Sequence, residues 1–172
     1  MAAGEALRLM TRNGEGTLEA LLVGEAHVGV AVVERVPDEL EAAVLQVTPQ
    51  VLAVPRSHPL ARRKRCRLKD LQGERLVVPP RGRPLRAALE LATRAAGVPW
   101  QPAVEASSWP LQLHFVKLGV GLAVVNGCCR LPPGLVGVPV PELPASRYLK
   151  LRRRGPQDPA RERLWEALEV DS

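Results

Sequence analysis

Along this chain the spacing of apolar residues switches repeatedly between a period of two and a period near 3.6, which predicts alternating strands and helices. Residues 6–11 alternate apolar and polar, as in a half-buried strand, and Arg12-Asn13-Gly14 is a turn signal. Leu18, Leu21 and Leu22 then mark one helix face, with Thr17 suited to cap its start and Gly24 its end. Residues 27–33 form a short, nearly all-apolar run, the pattern of a strand buried on both faces. Two further strands are predicted at 40–47 and 50–54. A second series follows: a strand at 75–78, a helix over 84–96 stopped by Gly97-Val98-Pro99, a strand at 103–107, a helix ending at 116–119 and a strand at 120–125. Residues 135–140 and 147–153 read as strands. Residues 159–170 read as a terminal helix with Leu164, Trp165 and Leu168 on one face.

Strands alternating with helices predict a mostly parallel sheet covered on both faces. Two groups of elements emerge, residues 1–55 and 56–143, and the tail from 144 onward is expected to return to the first group. The chain has 172 residues, 46% of them hydrophobic, enough for one domain or two small lobes with a real core. No apolar run is long enough to span a membrane. Residues 1–5 lack the basic-then-apolar pattern of a signal peptide, so a cytoplasmic location is the expectation.

Charge and cysteines narrow the chemistry. The net charge is +6, and six of the eight residues from 62 to 69 are basic (Arg62, Arg63, Lys64, Arg65, Arg67, Lys69). This run is either a phosphate-binding patch or a solvated loop. With no aromatic interleaved there is no platform for base stacking, and the solvated loop is the expectation. Cys66, Cys128 and Cys129 make no disulfide framework and lack zinc-ligand spacing. They read as small structural thiols, with a redox or catalytic thiol as the alternative. No nucleophile with a base and no pair of acids stands out, His114 has no metal-ligand partner one turn away, and Gly119-Val120-Gly121 reads as a tight helix-to-strand joint rather than a phosphate loop. No enzyme activity, metal or cofactor is expected.

Several phrases, in order, carry a resemblance: Leu18…Leu22-Val23-Gly24-Glu25-Ala26-His27-Val28-Gly29-Val30; Val51-Leu52-Ala53-Val54-Pro55 with His58-Pro59-Leu60-Ala61; Leu68…Asp70-Leu71; Leu85-Arg86; and Val116…Gly119-Val120-Gly121-Leu122-Ala123. Together they cover about residues 7–153 and resemble the effector-binding region of LysR-type transcriptional regulators. The resemblance implies an α/β fold of the type 2 periplasmic-binding-protein kind: two Rossmann-like lobes, residues 1–55 plus 144–172 and residues 56–143, with a ligand cleft between them. Lobe I is expected to be incomplete. The family's first strand and helix, and its winged helix-turn-helix, have no counterpart before Ala6. His27 stands where the family has an acidic residue, and it reads as structural. The resemblance further implies a small-molecule effector, an organic acid, whose binding closes the cleft and changes subunit packing. It implies a homodimer or higher oligomer, DNA contact only through a helix-turn-helix absent from this chain, and no membrane partner. The alternatives are a stand-alone cytoplasmic solute-binding protein of the same fold and a decayed regulator fragment.

Ligands of open α/β sheets sit beyond the carboxyl ends of strands, where helix N-termini offer free N–H groups. Three such places are predicted: Arg12-Asn13-Gly14, Pro79-Pro80-Arg81-Gly82-Arg83 and Ser107-Ser108-Trp109. The resemblance places these loops in the effector cleft, with Asn126 close by. The candidate ligand-binding residues are therefore Asn13, Arg81, Gly82, Arg83, Ser107, Ser108 and Asn126. Arg81 or Arg83 can clamp an acidic group or sit solvated in a loop. The serines can hold a ligand, cap a helix, or do both. Trp109 is expected in the core.

Overall fold

The computed structural model describes residues 6–156 and 158–168. The absent signal peptide read from residues 1–5 and the last two positions of the expected terminal helix, 169 and 170, lie outside the described residues. In chain order the elements are α1 (Gly14–Leu22), β1 (Val28–Ala31), β2 (Leu40–Thr48), β3 (Gln50–Pro55), two 3-10 turns (Pro59–Arg62 and Leu68–Leu71), β4 (Arg75–Val78) and α2 (Pro84–Ala95). They continue with β5 (Gln101–Glu105), α3 (Trp109–Lys117), β6 (Ala123–Asn126), β7 (Leu135–Pro139), β8 (Ser146–Arg153) and α4 (Pro159–Ala167). The chain divides into two compact units, Met1–Val47 with Arg147–Ser172, and Thr48–Ser146. β3 therefore belongs to the second unit, although the sequence pattern grouped residues 50–55 with the first; its hydrogen-bonded neighbours are β6 and β7.

In the first unit the sheet order is β1-β8-β2, with β1 and β8 antiparallel. Its core is Leu21, Ala31, Leu40 and Leu151. The expected strand at 6–11 does not form: residues 6–13 are irregular and Leu9 is 85% exposed. An alternating stretch becomes a strand only when a neighbour takes its backbone hydrogen bonds, and none does so here among the described residues. α1 starts earlier than expected, because Asn13 rather than Thr17 caps it. Gly24 closes α1 at φ +79, a backbone conformation that favours glycine. α4 is fastened to β8 by side chains: Arg152 binds Glu41 and Glu162 and lies over Trp165, and Lys150 Nζ donates to the Trp165 carbonyl at 2.9 Å.

The second unit is a sheet buried on both faces. Leu52, Val54, Leu76, Val78, Leu122 and Val124 pack on one side with Leu89 of α2. Their alternating neighbours Ala53, Val77, Ala123 and Val125 pack on the other with Leu113 and Val116 of α3. The period-two alternation of the strands thus feeds two separate apolar layers. The sheet is mixed, correcting the mostly parallel expectation. β4 pairs parallel with β5, and a parallel bridge from Leu76 to Leu122 continues toward β6. β3 runs antiparallel to both β6 and β7. Parallel pairing follows the helical crossovers α2 and α3; β7, reached from β6 without a helix, lies antiparallel to β3.

Candidate functional site

Because β4, β5 and β6 point the same way, their carboxyl ends open on one edge of the second unit. β4 runs into Pro79-Pro80-Arg81-Gly82-Arg83 and the start of α2; β5 runs into Ala106-Ser107-Ser108 and the start of α3; β6 ends at Asn126. Six of the seven sequence-predicted site residues therefore belong to this edge. Arg81, Gly82, Ser107 and Ser108 are exposed, and Arg83 and Asn126 half-buried. Gly82 sits at φ +82, letting the loop reverse into α2. Asn13 lies in the other unit, where its Oδ1 accepts the Gly16 N–H at 2.8 Å as the cap of α1.

The two helix starts at this edge share a property. Arg83 is the N-cap residue of α2 and Ser108 that of α3, and neither side chain makes a capping hydrogen bond. The capping role considered for Ser108 is thus not taken up, and the residue is exposed. Trp109 is 46% exposed, against the expectation of a core anchor. It shares the helical spacing of the buried Gln112, Leu113 and Val116 but stands at the first position of α3, where the stripe runs out to the surface.

Buried polar side chains hold the edge in place, and sequence reasoning missed them. Arg86 is only 2% exposed. Its Nη1 donates to the Pro79 carbonyl at 3.3 Å and lies 3.5 Å from Glu105 Oε1, while Nε donates to Glu90 at 2.6 Å. Its guanidinium stacks on Trp100 at 5.1 Å from the ring centre. One cation thereby ties the end of β4 to the end of β5 and to α2. The hydrogen bond from Arg86 holds the Glu90 carboxyl below the usual range. Gln112, also buried, donates to the Ala106 carbonyl at 2.9 Å and fixes α3 to the end of β5. A signal for Arg86 was present: Arg86, Leu89 and Thr93 share the buried stripe of α2, with Glu90 one turn on as an ion-pair partner.

A second polar group lies beside Asn126. Gln50 Nε2 donates to Ser146 Oγ at 2.8 Å and to the Pro144 carbonyl at 3.3 Å, and Ser146 Oγ donates to Asn126 Oδ1 at 2.9 Å. Gln50 faces Asn126 across the β3–β6 pair. These contacts bridge 96 residues of sequence, which is why no local pattern announced them.

The remaining chemistry is sparse. Cys66 is buried, Cys129 half-buried and Cys128 exposed, all as free thiols. Burial pushes the Cys66 and Cys129 thiols up to about 11, away from a reactive thiolate. Among the described residues no three His, Cys, Asp or Glu side chains gather to hold a metal ion, and no helix is long and apolar enough to cross a membrane.

The sequence model of the LysR substrate binding domain matches residues 4–171. The chain belongs to that family. Its fold is accordingly the type 2 periplasmic-binding-protein-like fold of LysR substrate-binding domains. The LysR-type relatives include the HTH-type transcriptional regulator CbbR of Xanthobacter flavus, 33% identical over 124 residues. That match takes in 70% of this chain and 37% of CbbR, so the chain spans a little over a third of that curated relative. The regulatory domain of Synechocystis PCC6803 CcmR, solved in complex with 2-PG, superposes with a TM-score of 0.75 at 20% identity, covering 91% of this chain and 78% of that one. Full-length CbnR, solved with its target DNA, superposes with a TM-score of 0.77 at 22% identity, covering 94% of this chain and 58% of CbnR. The relatives of this LysR domain are transcriptional regulators rather than enzymes.

Proposed function

We propose that this chain is the effector-sensing part of a LysR-type transcriptional regulator, working in the cytoplasm, and that it takes a small organic acid at the carboxyl ends of β4, β5 and β6. One observation carries the reading: two helices, α2 and α3, begin at the same sheet edge, and neither N-cap side chain occupies its own helix start. Helix starts carry unpaired N–H groups and a partial positive charge, and both suit a carboxylate. Arg81 and Arg83 flank one of them and add full charges. Ser107, Ser108 and Asn126 supply neutral hydrogen bonds for the rest of the molecule. That the CcmR regulatory domain was solved with 2-PG supports a small-molecule role for a domain of this fold.

In a regulator of this kind the effector must bind one arrangement of subunits better than another, for otherwise nothing reaches the DNA. We assign the reading of DNA sequence to a helix-turn-helix elsewhere in such a regulator, and the packing change to a dimer or higher oligomer.

The test is a thermal-shift screen with a library of small organic acids, followed by calorimetry on the strongest hit. At a hundred times its Kd an acid stabilises the chain by about 2.7 kcal/mol. The double variant Arg81→Gln/Arg83→Gln should melt like the parent and bind the hit at least ~10-fold more weakly, since a hydrogen bond to a charged group contributes about 1.5–3 kcal/mol. An acid that binds the double variant as tightly as the parent would overturn this placement of the site.

A further inference from the structure

The run of basic residues between the two 3-10 turns is an ordered strip in the structure. Leu60, Cys66, Leu68 and Leu71 are buried in the core of the second unit and pin the segment at both ends and in the middle. The backbone is fastened as well: Arg63 N–H donates to the Leu60 carbonyl at 3.0 Å and Cys66 N–H to the Pro139 carbonyl at 2.8 Å. Around these anchors Arg62, Arg63, Lys64, Arg65, Arg67 and Lys69 are all exposed.

None of these six cations pairs with a carboxylate among the described residues. The acids near the strip are engaged elsewhere. Asp70 accepts the Arg67 backbone N–H at 2.8 Å, and Glu142 faces the Leu68 N–H at 3.4 Å. Glu74 stands 3.8 Å from His58. The side chains of the strip therefore carry their charge outward, on a backbone that is already ordered. Six like charges gathered within eight residues repel one another unless a counter-charge arrives, and the ordered backbone loses little further entropy when it does.

We propose that this strip binds the phosphate backbone of duplex DNA without reading its sequence. The chemistry selects such a partner. Eight residues extend over at most ~26 Å, a length along which duplex DNA presents many phosphates, one per ~1.7 Å of axis. No Phe, Tyr or Trp occurs between 56 and 75 and no aromatic ring is interleaved among the six cations, so unpaired bases lack a stacking platform there, which disfavours single strands. Arginine and lysine together suit phosphate oxygens as forks and as point charges. The strip shares no residue with the proposed effector site.

The experiment measures binding of the intact 172-residue chain to a short duplex of random sequence, by fluorescence anisotropy, across ~50 to ~200 mM salt. The expected plot of log K against log salt is linear, with a slope near −4 or steeper, each neutralised phosphate contributing about −0.9. The variant Arg62→Gln/Arg63→Gln/Lys64→Gln/Arg65→Gln, with every change on an exposed side chain, should melt like the parent and flatten the slope by about 3 to 4. A single strand of the same length should bind more weakly than the duplex. Three results overturn the proposal: a parent slope near zero, an unchanged slope in the variant, or polyglutamate of matched charge binding as tightly as the duplex. The last would assign the strip to an acidic protein.

Discussion

Arg86 Nη1 donates to the carbonyl of Pro79, seven residues back along the chain and at the end of the preceding strand. That one contact places a full positive charge beneath the loop proposed to receive an anion, and the charge is buried. Arg86→Ala strands the Pro79 carbonyl and leaves Glu90 without its bonded partner. Removing one member of a buried ion pair typically costs 3–5 kcal/mol. With Glu105 half exposed, a loss of about 2–3 kcal/mol is expected, read as a lower urea midpoint. Arg86→Lys should recover less than half of it, because an ammonium cannot reproduce the fork that reaches Pro79, Glu90 and Glu105 together.

The same pair gives an acid dependence. Arg86 holds the Glu90 carboxyl below its ordinary value of 4.5. A group depressed in the folded state contributes stability that is present above its unfolded value and is lost as pH falls through the folded one. Stability attributable to Glu90 should therefore be intact at neutral pH and decline below about 4.5. Glu90→Gln should be less stable than the parent at neutral pH, and the two should converge as the solution is acidified, measured by urea melts at a series of pH values.

Thiol chemistry should separate the three cysteines. Iodoacetamide at pH 8 is expected to modify Cys128 first, because it is exposed, while burial raises Cys129 and Cys66 to about 11. Intact mass followed by peptide mapping should show one early adduct, with Cys66 labelled only in denaturant. A native adduct on Cys128 or Cys129 forming far faster than on free cysteine would revive the reactive-thiol alternative.

The joint between α3 and β6 holds two glycines for two different reasons. Gly119 has φ +74 and open space where a Cβ would be. Gly119→Ala should cost about 1–2 kcal/mol from backbone strain alone. Gly121 has ordinary backbone angles, but a Cβ there would meet the Arg75 carbonyl oxygen at 2.6 Å. Gly121→Ala must push β4 aside, and a loss of about 1–3 kcal/mol is expected. Thermal melts of the two variants check both, and a second alanine at 119 with little further loss in the Gly121→Ala background would show that the joint had already given way.

Local patterns were legible wherever a segment's own residues decide its structure. α2 follows its apolar stripe almost to the residue, and Gly97 stops it at φ +66. Sequence reasoning shifted β5 by two residues, because the run chosen as a strand overlapped the turn into α3. The alternation at 6–11 was clear and still made no strand, since pairing depends on a neighbour that local sequence does not specify. At the candidate site the loops were legible because turns and helix starts have local signatures. Arg86 was passed over because arginine is rarely buried, and the Gln50–Ser146–Asn126 chain because it joins distant residues.

In the first unit the strand between β1 and β2 is β8, which follows them in sequence by about a hundred residues. On a ribosome, β1 and β2 emerge before β8 and must wait without it until the whole of residues 48–146 has been made. The second unit is one uninterrupted stretch and can fold as soon as it leaves the exit tunnel. Of the two units, the one whose first strands are made earlier is thus completed later, the reverse of an N-terminal-first progression. A pause or premature stop shortly after residue 146 would release a chain with a finished second unit and two open strand edges, the species from which aggregation would start.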